Sequence, residues 1–162
     1  MEIINNFIEN KSIFENLKNT ILKGNFEWYY DDFITSPGHD QGDFYLAHNF
    51  FSYNKQQSGH FNQILSPILG RLKYNYIIRA KANAYTRKEK HYFHGWHTDD
   101  NQEHQVALFF VNTNNGRTEF ENGKIVESKE NTLLLFNGNI KHRSVSQTDE
   151  NLRVTININL IR

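Results

Sequence analysis

Leu152-Arg153-Val154-Thr155-Ile156-Asn157-Ile158-Asn159-Leu160-Ile161 alternates between two kinds of residue. Successive side chains of an extended strand point to opposite faces. Leu152, Val154, Ile156, Ile158 and Leu160 therefore share one face, and Arg153, Thr155, Asn157 and Asn159 share the other. If the apolar face packs against other elements of the chain, the polar face points into an interior. An arginine there needs an anionic partner, because a buried unpaired guanidinium costs about several kcal/mol. A ligand carboxylate would match its planar fork. A protein carboxylate such as Glu119 at the mouth of the interior is the competing partner.

Moving outward from this strand, the period of two persists. Residues 74–85 alternate, with Asn75, Ile77, Arg79, Lys81, Asn83 and Tyr85 on one face. Residues 105–111 and 132–136 are further strand candidates. Asn122-Gly123 between 118–121 and 124–127 predicts a hairpin, and Asn115-Gly116 and Asn137-Gly138 mark two more turns. The first third reads differently. Ser12 and Glu15 form a capping box, and Ile13, Phe14, Leu17, Ile21 and Leu22 follow at helical spacing, which predicts a helix over 12–23 that stops at Gly24. Residues 26–30 suggest a short strand and residues 35–43 a loop. Phe61, Ile64, Leu65, Ile68, Leu69 and Leu72 give a second helical pattern, which starts or kinks at Pro67. Helices followed by many short strands imply a mainly β sandwich or barrel with helices packed outside.

Composition narrows the function. The chain has 162 residues, which suits one domain, 1–162. Lys+Arg and Asp+Glu both number 18, so the zero net charge removes the long-range pull of nucleic acid or anionic lipid. Without cysteine there is no disulfide or thiolate metal site, so any metal must be held by nitrogen and oxygen. The N-terminus is not patterned as a signal peptide and no apolar run approaches a membrane span. A cytoplasmic location is the expectation.

Eight histidines are available. His39, His48 and His60 fall in loop or helix context and read as surface residues, while His91, His94 and His104 lack a matched downstream partner. His97-Thr98-Asp99 differs, because residues two apart on a strand converge on one side. His142 follows just beyond a strand and a turn. Two imidazoles and one carboxylate on one face of an octahedron leave three positions open, as in non-haem Fe(II) oxygenases. The same spacing also fits a surface His–Asp hydrogen bond near a strand end. Arg153 follows closely enough to share a cavity with His142.

His97-Thr98-Asp99, His142 and Arg153 resemble, in order and spacing, the 2-oxoglutarate- and Fe(II)-dependent dioxygenases, especially the prolyl 4-hydroxylase-like branch. Residues 79–85, 114–120 and 133–142 resemble that branch as well, and small members occur in bacteria and tailed phages. The resemblance implies a double-stranded β-helix (jelly-roll, cupin-like) core over 74–162, supported by 1–73. It implies iron held by His97, Asp99 and His142, and Arg153 on the distal carboxylate of 2-oxoglutarate. Asn83, Tyr85 and Thr155 are candidates to contact that cosubstrate, with Asn157 an alternative to Thr155, and Trp96 is expected as a pocket wall. Hydroxylation of an unactivated C–H bond would consume O₂ and release succinate and CO₂, with ascorbate a candidate reductant. Peptidyl proline is the first substrate choice, within a wider class of peptides, proteins or small molecules. For a phage-encoded chain the compartment would be the host cytoplasm. Two alternatives remain: a non-catalytic cupin-like metal or small-molecule binding module, and an alkylated nucleic-acid demethylase. The demethylases carry a second arginine where this chain has Asn159, although the Asn83/Tyr85 spacing also occurs in them. The basic cluster Arg87-Lys88-Glu89-Lys90 reads as a solvated loop. Oligomeric state is not legible.

Overall fold

The computed structural model describes residues 1–34 and 43–162. The loop expected at 35–43 therefore lies, except for Asp43, outside the described residues, and so does His39. Eleven strands and two α-helices occur in the order β1 (Glu2–Asn5), α1 (Lys11–Lys23), β2 (Tyr29–Asp31), β3 (Tyr45–Ser52), β4 (Lys55–Gln56), a π-helical segment (Phe61–Leu65), α2 (Ser66–Leu69), β5 (Tyr76–Thr86), β6 (Gln105–Phe110), β7 (Arg117–Phe120), β8 (Ile125–Glu127), β9 (Thr132–Asn137), β10 (His142–Val145) and β11 (Leu152–Ile161) among the described residues. They build a large antiparallel sheet in the order β1-β9-β6-β11-β5-β3-β2, with β4 beside β3, and a small sheet β10-β7-β8. This is the mainly β jelly-roll expected from the sequence.

The alternation in β11 governs the layering. Val154, Ile156, Ile158 and Leu160 join Ala80, Ala82 and Ala84 of β5 in one core with Phe14, Leu17 and Ile21 of α1 and Ile64 and Ile68. The alanines leave room for the bulky helical side chains. A second, smaller core of Val106, Leu108, Phe110, Phe120, Val126, Leu134 and Phe136 draws on both sheets. The polar face of β11 thus turns away from the helices. The β7–β8 hairpin turns at Gly123, whose φ of +84° is the left-handed value that glycine adopts without a Cβ penalty.

Several local expectations are corrected. Asn10, not Ser12, caps α1, its Oδ1 accepting from the backbone of Ser12 and Ile13. Ile13 is exposed on that helix, because it falls off the stripe formed by Phe14, Leu17 and Ile21. The strand expected at 26–30 begins only at Tyr29. The helix around Pro67 starts at Ser66, where a missing N–H in the first turn costs nothing, after the π-helical segment. Most consequentially, the first third supplies strands β1, β2 and β3 to the large sheet. β1 is an exposed edge with no alternation to detect, and β3 carries His48 among apolar residues.

Candidate active site

The backbone brings His97 and His142 together. The two residues form an isolated antiparallel bridge, each N–H donating to the other's carbonyl at 3.0 Å, and their rings lie 4.6 Å apart. Each Nδ1 is 3.1 Å from the carbonyl two residues earlier, Gly95 for His97 and Ile140 for His142. An Nδ1–H donated in this way fixes the tautomer with its lone pair on Nε2, where a metal would be bound. Asp99 completes the cluster, and one ligand atom from each of the three residues lies within 4.8 Å of the others. Asn157 Nδ2 donates to Asp99 Oδ2 at 3.0 Å, and Arg79 is 3.6 Å from Oδ1.

The electrostatics keep this donor set in the form a cation needs. Burial alone would raise the Asp99 carboxyl, but His142, the Asn157 hydrogen bond, His97 and Arg79 together hold it below the usual carboxylate range. Burial lowers His142 against the raising effect of Asp99, so its imidazole stays neutral at pH 7. One carboxylate oxygen and two imidazole nitrogens suit a divalent first-row metal.

Arg153 occupies the same cavity, a cleft of about 430 Å³ that also holds Asn83, Tyr85, Thr155 and Asn157. It is 1% exposed. Three hydroxyls cage its guanidinium: Ser128 accepts from Nε at 2.7 Å, Ser144 from Nη1 at 2.8 Å and Thr118 from Nη2 at 3.1 Å. Ser144 and Thr118 belong to the small sheet, so Arg153 spans the interior between the two sheets. Glu119, the competing protein partner, instead binds Arg117 and Arg143 at 2.7 Å each. Among the described residues no carboxylate pairs with Arg153, and burial pushes even its guanidinium down to about 10, with the neighbouring Tyr85 acting the other way. Gly116 makes this packing possible, since a Cβ there would come within 2.7 Å of Arg153 Cδ.

Register orders the cleft. β11 runs beside β5 with Arg153 opposite Tyr85, Thr155 opposite Asn83, Asn157 opposite Lys81 and Asn159 opposite Arg79. Asn83 Oδ1 is buried without a partner among the described residues. Lys81 Nζ donates to Tyr45 Oη at 2.8 Å, and Tyr45 Oη donates to Asp31 at 2.9 Å. Burial lowers Lys81 to about 8, with Arg79 adding to the effect and Asp99 and Asp31 opposing it. Burial likewise raises Tyr45 far above an ordinary phenol.

Sequence reading gave Lys81, Tyr45 and Asp31 no role. Parity on β5 could have found Lys81, which shares a face with Asn83 and Tyr85, but Asp31 and Tyr45 arrive through strand pairings that leave no local signature. Trp96 is corrected: it does not line the cleft but lies half exposed beneath Arg143, 4.3 Å from ring centroid to guanidinium carbon. His48 is buried, not a surface residue, because Glu27 O at 2.6 Å and Ser58 Oγ at 2.7 Å satisfy both ring nitrogens. His94, also buried, pairs with Asp43 at 3.1 Å. His60 is held at the surface by Glu27, at 3.1 Å.

No family model and no curated protein sequence matches this chain. Solved structures do. A Trichoplax adhaerens prolyl hydroxylase in complex with a hypoxia inducible factor oxygen degradation domain peptide fragment superposes with a TM-score of 0.66 at 16% identity, covering 99% of this chain and 82% of that one. An oxidoreductase of the 2OG-Fe(II) oxygenase family from Burkholderia pseudomallei gives 0.64 at 11% identity, over 97% and 83%. HygX from Streptomyces hygroscopicus, with nickel and 2-oxoglutarate bound, gives 0.59 at 11%, over 97% and 80%. This chain has the fold of these oxygenases. Within that fold, the cluster, with His142 buried and His97 and Asp99 half-buried, and the caged Arg153 line one cleft.

Proposed function

We propose that the protein is an Fe(II)- and 2-oxoglutarate-dependent oxygenase. The observation that carries this reading is the placement in one cleft of a two-imidazole, one-carboxylate donor set and a buried arginine that has no carboxylate partner among the described residues. His97, Asp99 and His142 would hold iron, which when bound supplies the activation of O₂. Substrate C–H, O₂ and 2-oxoglutarate would give the hydroxylated product, succinate and CO₂.

The chain's own side chains do the rest. Arg153 pairs with the distal carboxylate of 2-oxoglutarate, and the hydroxyls of Ser128, Ser144 and Thr118 fix its planar fork beforehand. Asn83 offers an amide and Tyr85 and Thr155 offer hydroxyls to the same cosubstrate along the wall. Asn157 and Arg79 hold the Asp99 carboxylate ionised and oriented. A metal-binding module without oxygenase activity leaves the uncompensated charge on Arg153 without a purpose, and this favours the oxygenase. Peptidyl proline is the first prime substrate to assay, as the relatives named above include a prolyl hydroxylase bound to a peptide. Ascorbate belongs in that assay as reductant.

The test is release of succinate from 2-oxoglutarate, with and without Fe(II) and O₂. Turnover that requires all three supports the proposal. Metal binding without any 2-oxoglutarate binding overturns it in favour of a cupin-like module.

A further inference from the structure

The face of β5 that lines the cleft carries Tyr85, Asn83, Lys81 and Arg79 in succession. Residues two apart on a strand are about 6.6 Å apart. Arg153 stands opposite Tyr85, whereas Asn157, the residue touching Asp99, stands opposite Lys81. The cleft is therefore ordered: the caged arginine at one end, the donor cluster in the middle, and Lys81 and Arg79 at and beyond the cluster. A dicarboxylate of five carbons stretched from Arg153 to the cluster leaves these two cations uncovered.

Lys81 and Arg79 are half-buried cations, and among the described residues the one carboxylate within ion-pair distance of either is Asp99, 3.6 Å from Arg79 Nη2. Lys81 Nζ bonds a neutral phenol and makes no ion pair among the described residues. Arg79 Nε is buried with no hydrogen-bond partner among the described residues. Both residues, with Asp31 and Tyr45, line a second hollow of about 930 Å³ that continues from the cleft toward Tyr53 and Tyr76. Asn159, 1% exposed, lies against that hollow, and neither of its side-chain amide atoms has a hydrogen-bond partner among the described residues. Asp31 and Asp100 are the opposing charges there. Asp31 is engaged by Tyr45 Oη and the Phe33 N–H, and Asp100 by the Gln102 N–H. Lys81 Nζ and Arg79 Nε thus line the approach to the cluster, on the side that the cosubstrate does not use.

We propose that Lys81 and Arg79 form an anion-recognition subsite for the prime substrate, so that the molecule oxidised carries a carboxylate a few bonds from the reacting C–H. This rests on the oxygenase reading above and adds to it the substrate's charge. The carboxylate could belong to a free amino acid or to an acidic side chain of a peptide. The hollow beyond, with exposed Tyr53 and Tyr76, takes the remainder of the molecule.

The experiment uses the full chain loaded with Mn(II) under nitrogen. Calorimetric titration with 2-oxoglutarate comes first. The loaded protein is then titrated with the twenty free L-amino acids and their α-amides, and with acetyl-Ala-Pro-Asp-Ala-amide and its Asn counterpart. The expected result is at least one carboxylate that binds tenfold or more tightly than its uncharged partner. That preference should fall below twofold in Lys81→Met and return in Lys81→Arg. A response in the amino-acid pairs identifies a small-molecule substrate, and a response confined to the peptide pair an acidic peptide. Absence of any carboxylate preference in the wild type, or its persistence in Lys81→Met, overturns the subsite. If 2-oxoglutarate itself fails to bind, the oxygenase reading falls as well; if it binds and no preference appears, only this inference falls.

Discussion

Two arginine sites built on the same pair of sheets have opposite chemistry. Arg143, on β10, is fully matched: Glu119 accepts from its Nε at 3.0 Å and its Nη2 at 2.7 Å, and the half-exposed Phe93 and Trp96 pack on its faces. Arg153, on β11, is more deeply buried; it too lies over aromatic rings, Tyr85 at 5.3 Å and Phe110 at 5.9 Å, but among the described residues its hydrogen bonds go only to hydroxyls. Solvent reaches the first site through its arginine, whose side chain is 24% exposed against 11% for Glu119, and so screens its ion pairs in part. No such screening reaches the second, where an unneutralised charge is expensive. A protein keeps such a charge when something else arrives to neutralise it. The contrast separates a matched arginine from one proposed to await a ligand, without reference to either residue's neighbours in sequence.

The largest effect should come from removing the buried charge. Arg153→Met is expected to weaken 2-oxoglutarate binding by about 2–5 kcal/mol, the range for truncating one side of a buried charge pair. The ligand-free protein should lose no stability, or gain some, because an apolar stem replaces an uncompensated guanidinium. Calorimetry with Mn(II) and urea denaturation read the two quantities. A large loss of stability in the apo form would mean that the hydroxyl cage alone compensates Arg153.

Asp99→Ala tests the neighbouring cluster. It removes the one anionic ligand and leaves two imidazoles, so Mn(II) affinity should drop steeply while 2-oxoglutarate, where it still binds, depends on Arg153 alone. Mn(II) titration of the variant and the wild type checks this, and equal affinities would contradict the assignment.

An intermediate effect is expected from Gly116→Ala. The added Cβ would sit 2.7 Å from Arg153 Cδ, 2.9 Å from Asn114 Oδ1 and 3.0 Å from Val145 O. Overpacking of this kind costs about 1–3 kcal/mol. Because Arg153 must shift, cosubstrate affinity should fall along with stability. Loss of stability with an unchanged 2-oxoglutarate constant would show that the arginine's position is not critical.

The smallest effect belongs to the matched pair. Glu119→Gln should cost about 1 kcal/mol or less and leave 2-oxoglutarate binding untouched. Its sign with pH is fixed. Burial raises the Glu119 carboxyl, but hydrogen bonds and charge from Arg143 and Arg117 outweigh this and hold it below the ordinary value. A carboxyl lowered on folding stabilises above its unfolded pKa of about 4.3, and that contribution disappears as pH falls through the lowered folded value. The stability gap between wild type and Glu119→Gln should therefore be widest near neutrality and close at acid pH. Urea melts at pH 7 and pH 3 provide the check.

What could be read from the sequence depended on period. β11 was legible to its last residue because five apolar side chains must reach one core, and a slip of one position would bury its asparagines there. The Asn122-Gly123 hairpin was legible because its turn needs the positive φ seen at Gly123. The segments β1 and β3 were not, since an exposed edge and a strand with apolar and polar residues on both faces have no single-face pattern.

The sequence by itself determined the donor candidates. Side chains two apart on a strand share a side, which set Arg153 with Thr155 and Asn157 on β11; the same parity nominated His97 with Asp99, but those two lie outside the strands, at an isolated bridge and a bend. Only the tertiary structure decided whether they meet. The His97–His142 bridge, the cage from Ser128, Ser144 and Thr118, and the delivery of Tyr45 and Asp31 beside Lys81 all join segments far apart in the chain. The assignment of Glu119 to Arg143 and Arg117, leaving Arg153 without an anion among the described residues, was decided the same way. Such choices depend on sheet pairing and on the cost of burying charge. That cost is set by everything within a few ångströms, most of which lies elsewhere in the sequence.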